Sequence, residues 1–203
     1  MKKFNLSINK IIILLFLSIK PLHSAEMTDP IKVDWSFKGL TGTFDRASLQ
    51  RGFQVYKEVC SSCHSMQYLS YRNLGESGGP EFTEAEVKAI AASFEVTDGP
   101  DSQGEMFTRP GRPSDMFVSP HPNKEAAAAA NGGAYPPDMS VLVKARKGGA
   151  NYIYSVLVGY EDPPPGVTLD QGVYYNKYMI GNKIKMPNNL EDGLIEYADG
   201  TVS

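Results

Sequence analysis

Cys60-Ser61-Ser62-Cys63-His64 constrains this chain more than any other feature. These are its only two cysteines, and they stand three residues apart. At that spacing they can neither staple distant parts of a fold nor build a disulfide framework. Two thiols on one turn with a histidine directly after them form the C-x-x-C-H haem-attachment pattern. The thiols add across the two vinyl groups of haem as thioethers, and the imidazole is delivered to the iron. A structural zinc site needs four ligands, and neighbouring Cys63 and His64 rarely share one tetrahedral metal. A thioredoxin-like dithiol needs a βαβ context, which the sequence lacks. A local disulfide is the other reading of the motif taken alone. One covalently bound haem c is the expected cofactor.

The first 25 residues read as a secretory signal. Lys2, Lys3 and Lys10 form a basic head, residues 11–19 an apolar run, and Ser24-Ala25 a small-residue cleavage point. The run is too short for a bilayer span, which needs roughly 20 apolar residues, and Lys20 interrupts it. The expected organisation is therefore a signal over 1–25 and a haem domain over 26–203. The chain has 20 Lys+Arg and 23 Asp+Glu, and residues 1–25 hold four lysines and no acid. Their removal leaves a net charge of −7, which argues against nucleic acid as a partner.

The rest of the chain reads as all-α with extended loops. Trp35, Phe37 and Phe44 suggest an extended segment that packs. Asp45 caps a helix in which Leu49, Phe53, Tyr56 and Cys60 share one face, so the helix runs straight into the cysteine motif. Thr83 and Glu86 form a capping box with a Phe82–Val87 staple, predicting a helix to about Phe94. Residues 97–122 are rich in Gly and Pro and read as one long ordered loop. Asn123 caps an alanine helix stopped by Gly132 and Gly133. Pro136, Pro137 and Asp138 are expected to open a further helix ended by Gly148. A last helix is expected over 151–160, with Tyr152, Val156 and Tyr160 on one side, before Pro163 to Pro165 forbid continuation.

The second axial ligand is left open by spacing. Beyond the leader, His121 is the only histidine besides His64, and it lies in the long loop. Methionine suits an electron carrier, because a thioether raises the potential. Met106, Met116, Met139, Met179 and Met186 are candidates, and Met186 sits before Pro187 late in the chain.

The stretch RGFQVYKEVCSSCHSMQYLSYRNL resembles the haem-attachment segment of the cytochrome c1 family, the haem subunit of quinol–cytochrome c reductase. The likeness continues through VTDGPDSQGEMFTRPGRPSD, NGGAYPPDMS and KARKGGANYIYSVLVGY to GVYYNKYMIGNKIKMP. It implies a cytochrome c-like haem domain with long loop insertions. By resemblance, Cys60 and Cys63 are the thioether cysteines, His64 the proximal ligand and Met186 the distal one. Arg146 matches the arginine that meets a haem propionate, and Tyr152 an aromatic neighbour of the haem. Asn131, Pro136 and Pro137 match residues along its edge and proximal face.

The function so implied is electron transfer, with no enzymatic activity of the subunit on its own. Electrons arrive from the Rieske iron–sulfur subunit, beside cytochrome b, and leave to a soluble cytochrome c. The place implied is the periplasmic face of a bacterial inner membrane, or the intermembrane-space side in an organelle. Two departures stand out. Met186 is followed by Pro187-Asn188-Asn189, where the family commonly has a proline-rich run. The family also continues into a further helix and a membrane anchor; no apolar run of spanning length precedes Ser203, so membrane attachment is expected through the complex. A haem enzyme or gas sensor would need an open iron position. A free shuttle cytochrome would need only about half this length and no 97–122 loop.

Overall fold

A computed structural model describes residues 28–197 and Gly200; the expected leader and Met27 lie outside the described residues. The first helix, α1 (Arg46–Glu58), begins where Asp45 accepts a hydrogen bond from the Ser48 N–H at 2.6 Å. Its N-terminal N–H groups need such an acceptor because no earlier turn supplies one. The apolar face is as the spacing requires: Tyr56 is buried, and Leu49, Phe53 and Cys60 are half-buried. A 3₁₀ turn, Cys60–Ser62, continues directly from the helix. A second 3₁₀ turn follows at Tyr71–Gly75.

Helix α2 (Glu84–Ala92) carries the expected capping box. The Glu86 N–H donates to Thr83 Oγ1, and the Thr83 N–H donates to the Glu86 carboxylate. It stops at Ala92, two residues short of the expected end. The core forms where α1, both 3₁₀ turns and α2 meet Phe117. Tyr56, Tyr71, Leu74, Val87, Ala91 and Phe117 are its buried members. Phe117 stacks on Tyr71 with ring centroids 4.7 Å apart and on Tyr56 at 6.0 Å.

The all-α expectation is met only in part. Two small antiparallel sheets accompany the helices. The first runs into the 97–122 segment read as one loop: β1 (Glu95–Asp98) starts two residues before it and pairs with β2 (Phe107–Pro110), Val96 opposite Arg109 and Asp98 opposite Phe107. Its Gly and Pro residues turn the hairpin rather than leaving the whole span irregular. Helix α3 (Lys124–Ala130) starts at Asn123 as expected, and helix α4 (Gly149–Val158) covers most of the last predicted helix. The second sheet pairs β3 (Tyr174–Tyr175) with β4 (Lys183–Ile184), Tyr174 facing Ile184.

The helix expected between Pro136 and Gly148 is instead a chain of turns. The reason lies at its start. The Asp138 carboxylate and the Met139 N–H, which would have begun a helix, bond the attachment segment instead. The N-terminal arm packs as its aromatics suggest. Trp35 Nε1 and the Val33 N–H donate to Asn151 Oδ1 at 2.7 and 3.2 Å, and the Ile31 N–H donates to Ser155 Oγ. Trp35 then stacks on Phe37, which stacks on Phe44. No helix among the described residues is long and apolar enough to cross a membrane.

Candidate haem-attachment site

The attachment turn is held by its own backbone. The N–H groups of Cys63 and His64 both donate to the Cys60 carbonyl, at 3.1 and 2.9 Å. Both thiols are thereby fixed on one short turn at the end of α1. Both are free cysteines and half-buried. Burial, and then the neighbouring Cys63, push the Cys60 thiol up.

His64 Nδ1 lies 2.8 Å from the Pro137 carbonyl oxygen. A carbonyl can only accept, so Nδ1 carries the proton and Nε2 keeps its lone pair. Pro137 is thus brought to the motif by its backbone. Around this contact the two segments are laced together. The Asp138 carboxylate accepts from Ser65 Oγ at 2.7 Å, from the Gln67 N–H at 2.9 Å and from the Ser140 N–H at 2.9 Å. Burial works against its charge, yet the donations from Ser140, Gln67 and Ser65 hold the carboxyl below its ordinary range. The Met139 N–H donates to the Ser65 carbonyl at 2.8 Å, and Ser140 Oγ accepts from the Tyr68 N–H. Tyr56 adds a long 3.4 Å donation to the His64 carbonyl.

The other expected residues fall on two further segments. Asn131 is half-buried at the end of α3, where its side chain donates to the Ala127 carbonyl. Pro136 is half-buried two residues before Asp138. Arg146 is exposed, its guanidinium giving only a long 3.4 Å donation to the Ala145 carbonyl. Tyr152 lies on α4, and its hydroxyl donates to Met179 Sδ at 3.3 Å. Met186 is half-buried, two residues past β4. Its carbonyl accepts a 2.9 Å hydrogen bond from Tyr160 Oη, with the Pro187 carbonyl a longer second acceptor at 3.3 Å. Lys185 donates to the Gly132 carbonyl at 2.8 Å, joining the Met186 segment to the end of α3.

The donor set fits a covalently held haem. Two thiols stand on one turn, the histidine after them has a fixed tautomer with Nε2 free to coordinate, and soft thioether candidates lie elsewhere in the chain. Two contributors were not singled out from sequence. Asp138 read as a helix opener because its partners are some 70 positions away. Tyr160 read as one face of a helix, and its signal as a phenol beside the Met-Pro loop emerges only once β3 and β4 pair.

The sequence matches the Cytochrome C1 family over residues 35–203. "Cytochrome c1-2, heme protein, mitochondrial" of Solanum tuberosum is 54% identical over 166 residues, covering 82% of this chain and 63% of that protein. "Cytochrome c1" of Rhodospirillum rubrum is 50% identical over 188 residues, covering 85% of this chain and 68% of that protein. "Cytochrome b/c1" of Bradyrhizobium diazoefficiens is 50% identical over 186 residues, covering 82% of this chain and 27% of that longer protein. The chain thus spans between 27% and 68% of the length of these relatives. A family match through the attachment motif, and identity of half or more to plant and bacterial relatives, make the chain a member of the cytochrome c1 family.

Proposed function

We propose that this chain is the electron-transfer haem subunit of a quinol–cytochrome c reductase. It takes electrons from a Rieske iron–sulfur protein, beside cytochrome b, and passes them to a soluble cytochrome c. It works on the exported side of the membrane: the periplasmic face in a bacterium, or the intermembrane space in an organelle. Bound haem supplies a one-electron iron couple. Cys60 and Cys63 would hold it covalently, and His64 Nε2 and the Met186 thioether would ligate its iron. Arg146 meets a propionate, for which its weak contact to Ala145 leaves it available. Tyr152, Asn131, Pro136 and Pro137 line the group.

The observation that carries this reading is the 2.8 Å contact between His64 Nδ1 and the Pro137 carbonyl. It fixes the tautomer and ring orientation that a metal-ligating histidine needs and raises the basicity of the far nitrogen. With His64 and Met186 both committed to the iron, a substrate would find no open ligand position, which separates a carrier from a haem enzyme or gas sensor. The test is the distal ligand. The reduced wild type should bind carbon monoxide poorly at neutral pH. Met186→Leu should keep the haem, lower the reduction potential markedly and bind carbon monoxide readily. If Met106→Leu or Met116→Leu does this and Met186→Leu does not, the ligand assignment is wrong.

A further inference from the structure

Tyr160 sits where two parts of the fold close on the Met186 loop. It follows Gly159 at the end of α4, and the space there is tight. A Cβ at Gly159 would lie 2.4 Å from Tyr178 Cδ2, 2.6 Å from the Ser155 carbonyl oxygen and 2.9 Å from Asn176 Oδ1. Tyr160 then bridges Asn176 in antiparallel fashion, just before the β3–β4 hairpin turns. Asn176 is fully buried, its amide donating to the Val156 carbonyl at 2.7 Å and its Oδ1 accepting from the Tyr178 N–H. The Asn176 N–H donates to the Asn182 carbonyl, closing the hairpin end. The backbone of Tyr160 is thus anchored at the turn side of β3, while its hydroxyl reaches across to Met186, beyond the far end of β4.

We infer that Tyr160 is a positioning residue for the Met186 side chain: its hydroxyl, donated to the Met186 and Pro187 carbonyls, holds this loop so that the thioether stays on the iron. This rests on the reading of Met186 as the distal ligand. The loop needs such a brace. Asn188, Asn189 and Leu190 are exposed and belong to no helix or strand. Proline at 187 has no N–H with which to tie the loop down from its own backbone. The Tyr160 hydroxyl satisfies the two carbonyls on either side of the Met-Pro bond and couples them to a buried anchor. Without it, a state with the loop swung away gains population at the expense of the closed one.

Tyr160→Phe removes the hydroxyl and keeps the ring, so folding and covalent haem content should match the wild type. In the reduced holoprotein, the fraction open to carbon monoxide should rise about fivefold, the population equivalent of one net hydrogen bond. The weak far-red absorption of thioether-ligated ferric haem should fall, and the reduction potential should drop. Tyr174→Phe, which removes a second phenol from the surface recess that Tyr160, Tyr174 and Tyr175 line together, should leave all three unchanged. In a Met186→Leu background, Tyr160→Phe should add nothing. If Tyr160→Phe matches the wild type in carbon monoxide binding, far-red band and potential while Met186→Leu opens the iron, the positioning role is overturned and the ligand reading stands. If Met186→Leu itself leaves the iron closed, the ligand reading fails and the role of Tyr160 falls with it.

Discussion

Three donors converge on the Asp138 carboxylate: Ser65 and Gln67 from just past the motif, and Ser140 from its own turn. This one side chain ties the segment after His64 to the segment that supplies the Pro137 carbonyl. Its loss would leave three donors without an acceptor. Asp138→Ala should cost about 2–3 kcal/mol, or a fall in Tm of roughly 4–12 °C for a domain of this size. Thermal unfolding of the holoprotein checks this; an unchanged Tm would remove Asp138 from the account. The motif itself was legible from residues alone, because five adjacent positions carry its chemistry. Asp138 was not. Local rules at Pro137-Asp138 point to a helix start, and here contacts from 70 positions away outcompete them.

Among the secondary-structure elements, the β1–β2 hairpin shows how a Gly- and Pro-rich stretch becomes ordered. Arg109 on β2 makes a bidentate pair with Asp115, at 2.7 and 3.0 Å, and reaches Asp98 on β1 as well. Backbone bonds carry this order inward: the N–H groups of Tyr71 and Arg72 donate to the carbonyls of Asp115 and Pro113. The Arg109 guanidinium holds the Asp115 carboxyl down at about 2. A carboxyl lower in the folded than in the unfolded state binds fewer protons when folded, so its stabilisation is present above its ordinary value of 3.8 and lost as pH falls toward 2. Asp115→Asn should therefore flatten the decline in stability between about pH 4 and 2. A decline as steep as in the wild type would contradict it.

Gly159 tests the other side of the fold. Its added methyl would strike the Ser155 backbone, so Gly159→Ala should cost about 1–3 kcal/mol in chemical unfolding; wild-type stability would show that the α4 end is looser than described. Helices with local caps, at Asp45, Thr83 and Asn123, were legible because the cap and its target lie within three residues. The hairpin was not, since the pairing of Arg109 with Asp98 and Asp115 joins residues eleven and six positions apart.

For the whole molecule, charge bears on the partner. Acids cluster at Glu81, Glu84 and Glu86, at Glu95, Asp98 and Asp101, and at Glu191, Asp192, Glu196 and Asp199. Several are already engaged: Glu84 with Lys88, Glu86 with Thr83, and Asp98 with Arg109. Glu191, Asp192 and Glu196 lie on exposed chain shortly after Met186, while Asp199 falls outside the described residues. Net negative charge near a haem edge would steer a basic cytochrome c, acting on association rate more than on affinity. Such steering is screened over about 10 Å at 0.1 M salt. Stopped-flow reduction of a basic cytochrome c should slow steeply as salt rises, at unchanged haem potential; a rate flat in salt would remove electrostatic docking and leave the haem site untouched. Haem staining of a denaturing gel reads out covalent haem on Cys60 and Cys63. Matured in a host with haem-attachment machinery, the wild-type chain should stain, Cys60→Ala and Cys63→Ala should each keep a single thioether, and the double variant should lose its haem. A wild-type band without covalent haem would contradict the account at its base.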